Sequence, residues 1–266
     1  MSPAPSRLGV SRRGLAAGSV LGVALMACTA VSQSDDPSRP LQDTAWVLAM
    51  LPGIATPHAA TPTLRFEAGR VQGSDGCNRY GAPYTGASGR LQIGPNGMST
   101  QMACPEPVSR LAASFNAALA KAQAYRIDAK TLLLLDAAGA TLASFVAQGT
   151  ELAGTAWQVT AYNNGKQAVV SVTAGSKIRI EFMPDGRVRG SGGCNSFSAG
   201  YTSSAEQLAI GPLGATRRAC AEPDGVMAQE AAFLRALETV ASARHDGHRL
   251  ELRTATGALA ATMIQD

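Results

Sequence analysis

The sequence predicts a mainly β protein of the α+β class, two tandem small β-barrels that each carry one packed α-helix. Three observations lead there. Thr44-Ala45-Trp46 recurs as Thr155-Ala156-Trp157, and Gly69-Arg70-Val71-Gln72-Gly73-Ser74-Asp75-Gly76-Cys77-Asn78 recurs as Gly186-Arg187-Val188-Arg189-Gly190-Ser191-Gly192-Gly193-Cys194-Asn195. Within each copy, short runs alternate apolar with polar residues, give way to one stretch of helical spacing, and then resume. The 266 residues, 45% of them hydrophobic, leave room for two domains of ordinary size.

The repeat keeps step along both copies. Tyr84-Thr85 matches Tyr201-Thr202, Leu91 to Pro95 matches Leu208 to Pro212, and Ala103-Cys104-Pro105-Glu106 matches Ala219-Cys220-Ala221-Glu222. Two copies of this length are tandem domains rather than a solenoid. Leu64-Arg65-Phe66 and Ile178 to Phe182 read as half-buried strands before hairpin turns at Ala68-Gly69 and Pro184-Asp185-Gly186. Leu111, Phe115 and Leu119 in the first copy, and Val226, Phe233, Leu237 and Val240 in the second, fall on one helical stripe. In the first copy the Ala-rich helix extends from Leu111 to Ala124, and each helix follows a proline, Pro107 or Pro223. Thr131 to Leu135, Thr141 to Phe145, Arg249 to Arg253 and Leu259 to Met263 read as closing strands around Gly139 and Gly257. So many short strands with one helix must bury their apolar face on themselves, which favours a closed or nearly closed barrel.

The expected organisation is a signal peptide over 1–27, a lipid-anchored linker over 28–42, and domains over 43–148 and 152–266. Arg7, Arg12 and Arg13 precede the apolar stretch Leu15 to Ala27, followed by Cys28; this order resembles a bacterial lipoprotein signal, which implies a lipid on the Cys28 sulfur. Ser11-Arg12-Arg13-Gly14-Leu15 also resembles a twin-arginine export signal. Of the 23 Lys and Arg, three leave with the leader, and the remaining 20 face 19 acidic residues. The mature chain has no basic face or run, so nucleic acid is not an expected partner. No apolar run approaches the roughly 20 residues that span a bilayer as a helix; the expected membrane contact is through the N-terminal lipid.

With Cys28 set aside, four cysteines remain at matching positions of the repeat. Of their three possible pairings, only Cys77 with Cys104 and Cys194 with Cys220 treats the copies alike, and an exported chain meets oxidising conditions. A metal site would need ligands the chain lacks, because there is no Cys-x-x-Cys and His58, His245 and His248 are not equivalent between copies.

The early Trp, the Gly-Arg-Val-x-Gly-Ser-x-Gly-Cys-Asn segment, the Tyr-Thr strand, and Ala-Cys before a Phe/Leu helix together resemble the META/HslJ family of small bacterial envelope domains, over residues 43–147 and 152–264. The resemblance implies a calycin-like β-barrel with a packed helix, a place in the periplasm or at the outer membrane, and an association with stress and antibiotic tolerance. It implies no catalytic residues. The second copy departs from the first at Gly192 for Asp75, Ser196 for Arg79 and Ala243 for Tyr125.

No nucleophile elbow, His-Glu-x-x-His, phosphate loop or dinucleotide fingerprint is present, so neither catalysis nor a cofactor is expected. Glu106 and Glu222 are read as helix-start carboxylates and Trp46 and Trp157 as core. Ser74, Asp75 and Asn78, with Ser191 and Asn195, form a possible binding loop. The structural reading of that loop is tighter: its glycines permit the turn that joins the cysteines, and its Asn bonds nearby backbone. The functional expectation is a non-enzymatic, lipid-anchored envelope protein that binds envelope components, with a module for a small apolar ligand or a protease as the alternative.

Overall fold

A computed structural model describes residues 40–55, 57 and 60–265. The leader, Cys28, the linker up to residue 39 and His58 lie outside them. The first copy contains β1 (Thr44–Met50), β2 (Thr63–Glu67), β3 (Arg70–Ser74), β4 (Arg79–Ala87), β5 (Arg90–Ile93), β6 (Met98–Ser99), α1 (Glu106–Lys121), β7 (Ala124–Asp128), β8 (Thr131–Leu135) and β9 (Thr141–Ala147). Its strands run in the order β3-β2-β1-β9-β8-β7-β5-β4, and β4 pairs back onto β3 to close a barrel, with β6 attached outside β4.

The second copy repeats the plan with β10 (Thr155–Asn163), β11 (Val169–Ser171), β12 (Arg179–Phe182), β13 (Arg187–Ser191), β14 (Ser196–Ser204), β15 (Gln207–Ile210), β16 (Gly214–Ala215), α2 (Val226–Glu238), β17 (Val240–Asp246), β18 (Arg249–Thr254) and β19 (Leu259–Gln265). The order β10-β12-β13-β14-β15-β17-β18-β19 closes through β10 and β19, while β11 and β16 lie off this path. Every pairing is antiparallel, and closure leaves few exposed edges. The thinnest joins are β5 to β7, through Arg90 and Ala124, and β15 to β17, through Gln207 and Ser242. Both sit where the helix is inserted between strands.

Each barrel has its own core. Trp46, Leu64, Phe66, Leu111, Phe115 and Phe145 fill the first, and Trp157, Ile180, Phe182, Phe197, Phe233 and Leu250 fill the second. The Thr-Ala-Trp repeat has a local cause. Each indole Nε1 donates to the preceding threonine hydroxyl, Trp46 to Thr44 at 2.8 Å and Trp157 to Thr155 at 2.7 Å; that hydroxyl donates in turn to the Leu41 or Leu152 carbonyl. The relay satisfies a buried indole N–H. It also corrects the linker boundary, because Leu41 is 1% exposed and belongs to the first core rather than to a tether.

The helices differ from the sequence expectation at their ends. α1 begins at Glu106, earlier than expected, and stops at Lys121, with Ala124 already in β7. Pro107 sits in its first turn, where a missing N–H costs nothing, and Glu106 meets the dipole's positive end while bonding Arg110. α2 begins at Val226 after Gly225 and has no acidic residue in its first turn, so Glu222 lies ahead of it. Val240 opens β17 instead of extending the helical stripe. Helical spacing continues past the true end in both copies because a strand residue that points inward can fall in phase with the stripe.

Candidate functional site

The repeated Gly-Ser-x-Gly-Cys-Asn segment forms the turn between β3 and β4, and between β13 and β14. In the first copy Asp75 is 2% exposed. Its Oδ1 accepts the main-chain N–H groups of Cys77 at 2.9 Å and Asn78 at 2.6 Å, and its Oδ2 accepts Asn116 Nδ2 of α1 at 2.9 Å. Ser74 Oγ accepts the Gly76 N–H at 3.1 Å, and Asn78 Oδ1 accepts the Thr100 hydroxyl at 2.9 Å and the Met102 N–H at 2.8 Å. Gly76 has a φ of +96°, a region closed to most side chains. Cys77 is bonded to Cys104, as expected.

The second copy lacks the aspartate but not the carboxylate. Glu230 reaches in from α2, its Oε2 accepting the N–H groups of Cys194 at 3.1 Å and Asn195 at 2.6 Å, its Oε1 accepting Asn195 Nδ2 at 2.8 Å. Gly192 is what admits it: a Cβ there would lie 2.5 Å from Glu230 Cγ. Asn195 Oδ1 accepts the Thr216 hydroxyl and the Arg218 N–H, both at 2.7 Å, and Ser191 Oγ accepts the Gly193 N–H at 3.3 Å. Cys194 is bonded to Cys220. The Asp75 carboxylate, the Asn78 Oδ1 and both polar side-chain atoms of Asn195 are thus engaged within the protein. Sequence reasoning missed Asn116 and Glu230; the loss of Asp75's counterpart at Gly192 was the signal that another acceptor must arrive.

A second cluster lies where the two copies meet. Arg79 of β4 places Nη1 3.2 Å from Glu251 Oε1 and Nη2 3.4 Å from Asp246 Oδ2. Arg65 bonds Glu206 Oε1 at 2.6 Å and the His245 carbonyl at 2.9 Å, Arg244 bonds Glu67 at 2.8 Å, and Thr63 Oγ1 donates to Asp246 Oδ1. Gly247 N–H donates to Gln148 Oε1 at 2.7 Å. Glu251 points outward from the second barrel at the position that Leu133 holds in the first, yet it is 7% exposed because the first copy and Arg253 cover it. Burial pushes its carboxyl up, but the hydrogen bond from Arg253 and the charges of Arg79, Arg253 and Arg249 outweigh that and hold it below its ordinary value.

His245 lies 2.8 Å from the Gly149 carbonyl through Nδ1, which therefore carries the proton, and its ring packs 5.0 Å from that of Trp157. Among the described residues its buried Nε2 has no hydrogen-bond partner. Burial lowers its pKa and the Arg65 charge lowers it further, against a raising effect from Gly149. Tyr80, whose hydroxyl donates to the Thr63 carbonyl at 2.8 Å, is raised well above its ordinary value by burial and by Asp246 and Asp75. A cleft of about 330 Å³ opens on this seam, lined among others by Ser74, Asn78, Arg79, His248 and Arg249. The loop residues Ser74 and Asn78 reach it, whereas Asp75 does not line it.

Solved structures similar to this chain include an NMR structure of a protein from Burkholderia xenovorans, at 24% identity and a TM-score of 0.36, covering 43% of this chain and 83% of that one. A crystal structure of a DUF4847 family protein from Bacteroides vulgatus is 14% identical with a TM-score of 0.31, covering 43% of this chain and 94% of that one. No curated protein matches the chain. The family profile described as META domain matches residues 39–149 and again residues 150–266, the two stretches that form the two barrels. The chain therefore belongs to the META domain family and carries that domain twice in tandem.

Proposed function

We propose that this protein is a non-enzymatic, lipid-anchored component of the bacterial envelope, exposed to the periplasm at the outer membrane, that supports stress or antibiotic tolerance by binding other envelope components. One observation carries the non-catalytic part. Among the side chains that the repeat keeps, the four cysteines and the two loop asparagines are engaged in holding the main chain of each loop, and a disulfide sulfur is no nucleophile. Two disulfides also suit an oxidising compartment. The anchor rests on the leader's order of charge, apolar stretch and Cys28, and the link to stress rests on the family resemblance.

The alternative of a small apolar ligand inside a barrel is disfavoured by filled interiors, where Trp157, Phe66, Phe115 and Phe233 are all under 2% exposed. The test is processing of the full-length protein in a bacterial host with and without globomycin, beside Cys28→Ser. Lipidation predicts that both treatments block removal of the leader, and that Cys28→Ser abolishes incorporation of labelled palmitate while the uncleaved chain stays with the inner membrane instead of reaching the outer one. Unchanged processing and partition would overturn the anchor. Crosslinking pull-down from the native envelope then tests binding, and recovery of the bare chain would count against it.

A further inference from the structure

In each copy, the segment before the second cysteine places a threonine hydroxyl and a main-chain N–H on the loop asparagine, but displays different residues. In the second copy it reads Thr216-Arg217-Arg218-Ala219-Cys220, and Thr216 to Ala219 are exposed. The Thr216 N–H donates to the Ser196 carbonyl at 3.0 Å and its hydroxyl to Asn195 Oδ1 at 2.7 Å. The Arg218 N–H donates to the same oxygen at 2.7 Å, and the Arg218 carbonyl accepts Asn195 Nδ2 at 3.0 Å. Asn195 is itself fixed by Glu230, and Cys220 is tied to Cys194. Both neighbours of Arg217 are therefore pinned. Among the described residues, the Arg217 main chain and the guanidinium groups of Arg217 and Arg218 take no hydrogen bond or ion pair.

In the first copy Thr100, Asn78 and Cys104 build the shared part of this brace, the Thr100 hydroxyl and Met102 N–H meeting Asn78 Oδ1 at 2.9 and 2.8 Å. The displayed pair there is Gln101-Met102, with Met102 58% exposed. A brace retained while its displayed residues change from uncharged to dibasic marks a presentation loop, not a fold requirement.

We propose that the Arg217 loop is a docking element for a serine protease with an acidic specificity pocket, binding it as a reversible inhibitor. The free main-chain N–H and carbonyl of Arg217 can pair with the protease's substrate-binding strand, while the guanidinium takes the pocket carboxylate in bidentate fashion. Holding Thr216 and Arg218 in place beforehand removes the ordering cost that weakens flexible peptides. Leu213, Met227 and Leu234 flank the loop and offer apolar contact beside it. An anionic bilayer explains less: two arginines give only about a fivefold factor each, and headgroups have no use for a fixed main chain. The proposal does not depend on the lipid anchor or on the envelope-binding reading.

The experiment uses the mature oxidised chain bearing Cys28→Ser, trypsin and a small chromogenic amide substrate. Competitive inhibition with a constant below about 1 μM is expected. Arg217→Ala should weaken it by at least about 30-fold and Arg217→Lys by much less, whereas Arg218→Ala, whose main chain does the bracing, should change it less than about threefold. Unchanged circular dichroism melts for these exposed positions show that the fold is intact. Absence of inhibition at about 10 μM, or equal inhibition by Arg217→Ala, overturns the proposal. So does cleavage after Arg217 in the oxidised chain as fast as in the dithiothreitol-reduced chain. Binding to phosphatidylglycerol vesicles that Arg217→Ala abolishes, without trypsin inhibition, would assign the loop to a lipid surface instead.

Discussion

A loop carboxylate that accepts two main-chain N–H groups occurs in both copies, but Asp75 supplies it from the turn and Glu230 from the helix. The acceptor's position is the constant and its residue is the variable. Glu230→Ala should destabilise the second copy by about 2–4 kcal/mol, since it strands two loop N–H groups and frees the Asn195 amide. Gly192→Asp alone should also destabilise, through the 2.5 Å approach of its Cβ to Glu230 Cγ. Combined, the two changes rebuild the first copy's arrangement and should be less damaging than their sum by at least about 1 kcal/mol in a double-mutant cycle followed by urea unfolding. Strict additivity would show that the carboxylates are not interchangeable. The sequence showed the turn, its glycines and its cysteines, because those act over a few residues. It hid the helical partners, Asn116 and Glu230, because which helix face meets the turn is decided only when the barrel closes.

At the scale of elements, the hairpin of β17 and β18 does two jobs. Leu250 and Leu252 face the second core and the His245 ring packs on Trp157, while Arg244, Asp246 and Glu251 face the first copy. The alternation of β18 was legible as a strand, but the outward Glu251 reads as an ordinary solvent-facing residue until a neighbour covers it. β17 itself was hidden, since Val240 continued the helical stripe. His245 has a pKa below its unfolded value of about 6.5. A group lowered in the folded state contributes stability that is complete above the unfolded value and is lost as pH falls through the folded one. The urea midpoint should therefore drop between about pH 7 and pH 5 by more in the parent than in His245→Gln, and parallel curves would remove His245 as the cause. Glu251 is lowered too, so its share is present above the ordinary carboxylate range and is lost as pH falls through that range to its lower folded value.

For the whole molecule, two of the differences between the copies fall on the seam. Arg79 has Ser196 as its counterpart, and Arg65 has Glu181, which instead pairs with Arg189 at 2.9 Å inside the second barrel. Arg79→Ser gives the first copy the second copy's residue and leaves the buried Glu251 with Arg249 and Arg253. Because Arg79 is half exposed, the loss should be modest, about 1–2 kcal/mol. Its signature should be in cooperativity: the parent unfolds in one calorimetric transition and Arg79→Ser in two. A single unshifted transition would mean that the seam does not couple the barrels. The duplication was the clearest feature of the sequence, yet it says only that there are two barrels, and nothing in a repeat fixes how one meets the other.

The seam is head-to-tail: the first barrel offers its β2 and β4 surface, the second its β17 and β18 hairpin. Contacts of that kind have no built-in stopping point, and when the faces stay complementary they run on into filaments. Here the second barrel shows the Ser196 hydroxyl where the first shows the Arg79 guanidinium, so an incoming hairpin bearing carboxylates placed like Asp246 and Glu251 would meet no matching cation there. Divergence between the copies thus works as a terminator, confining stacking to a pair.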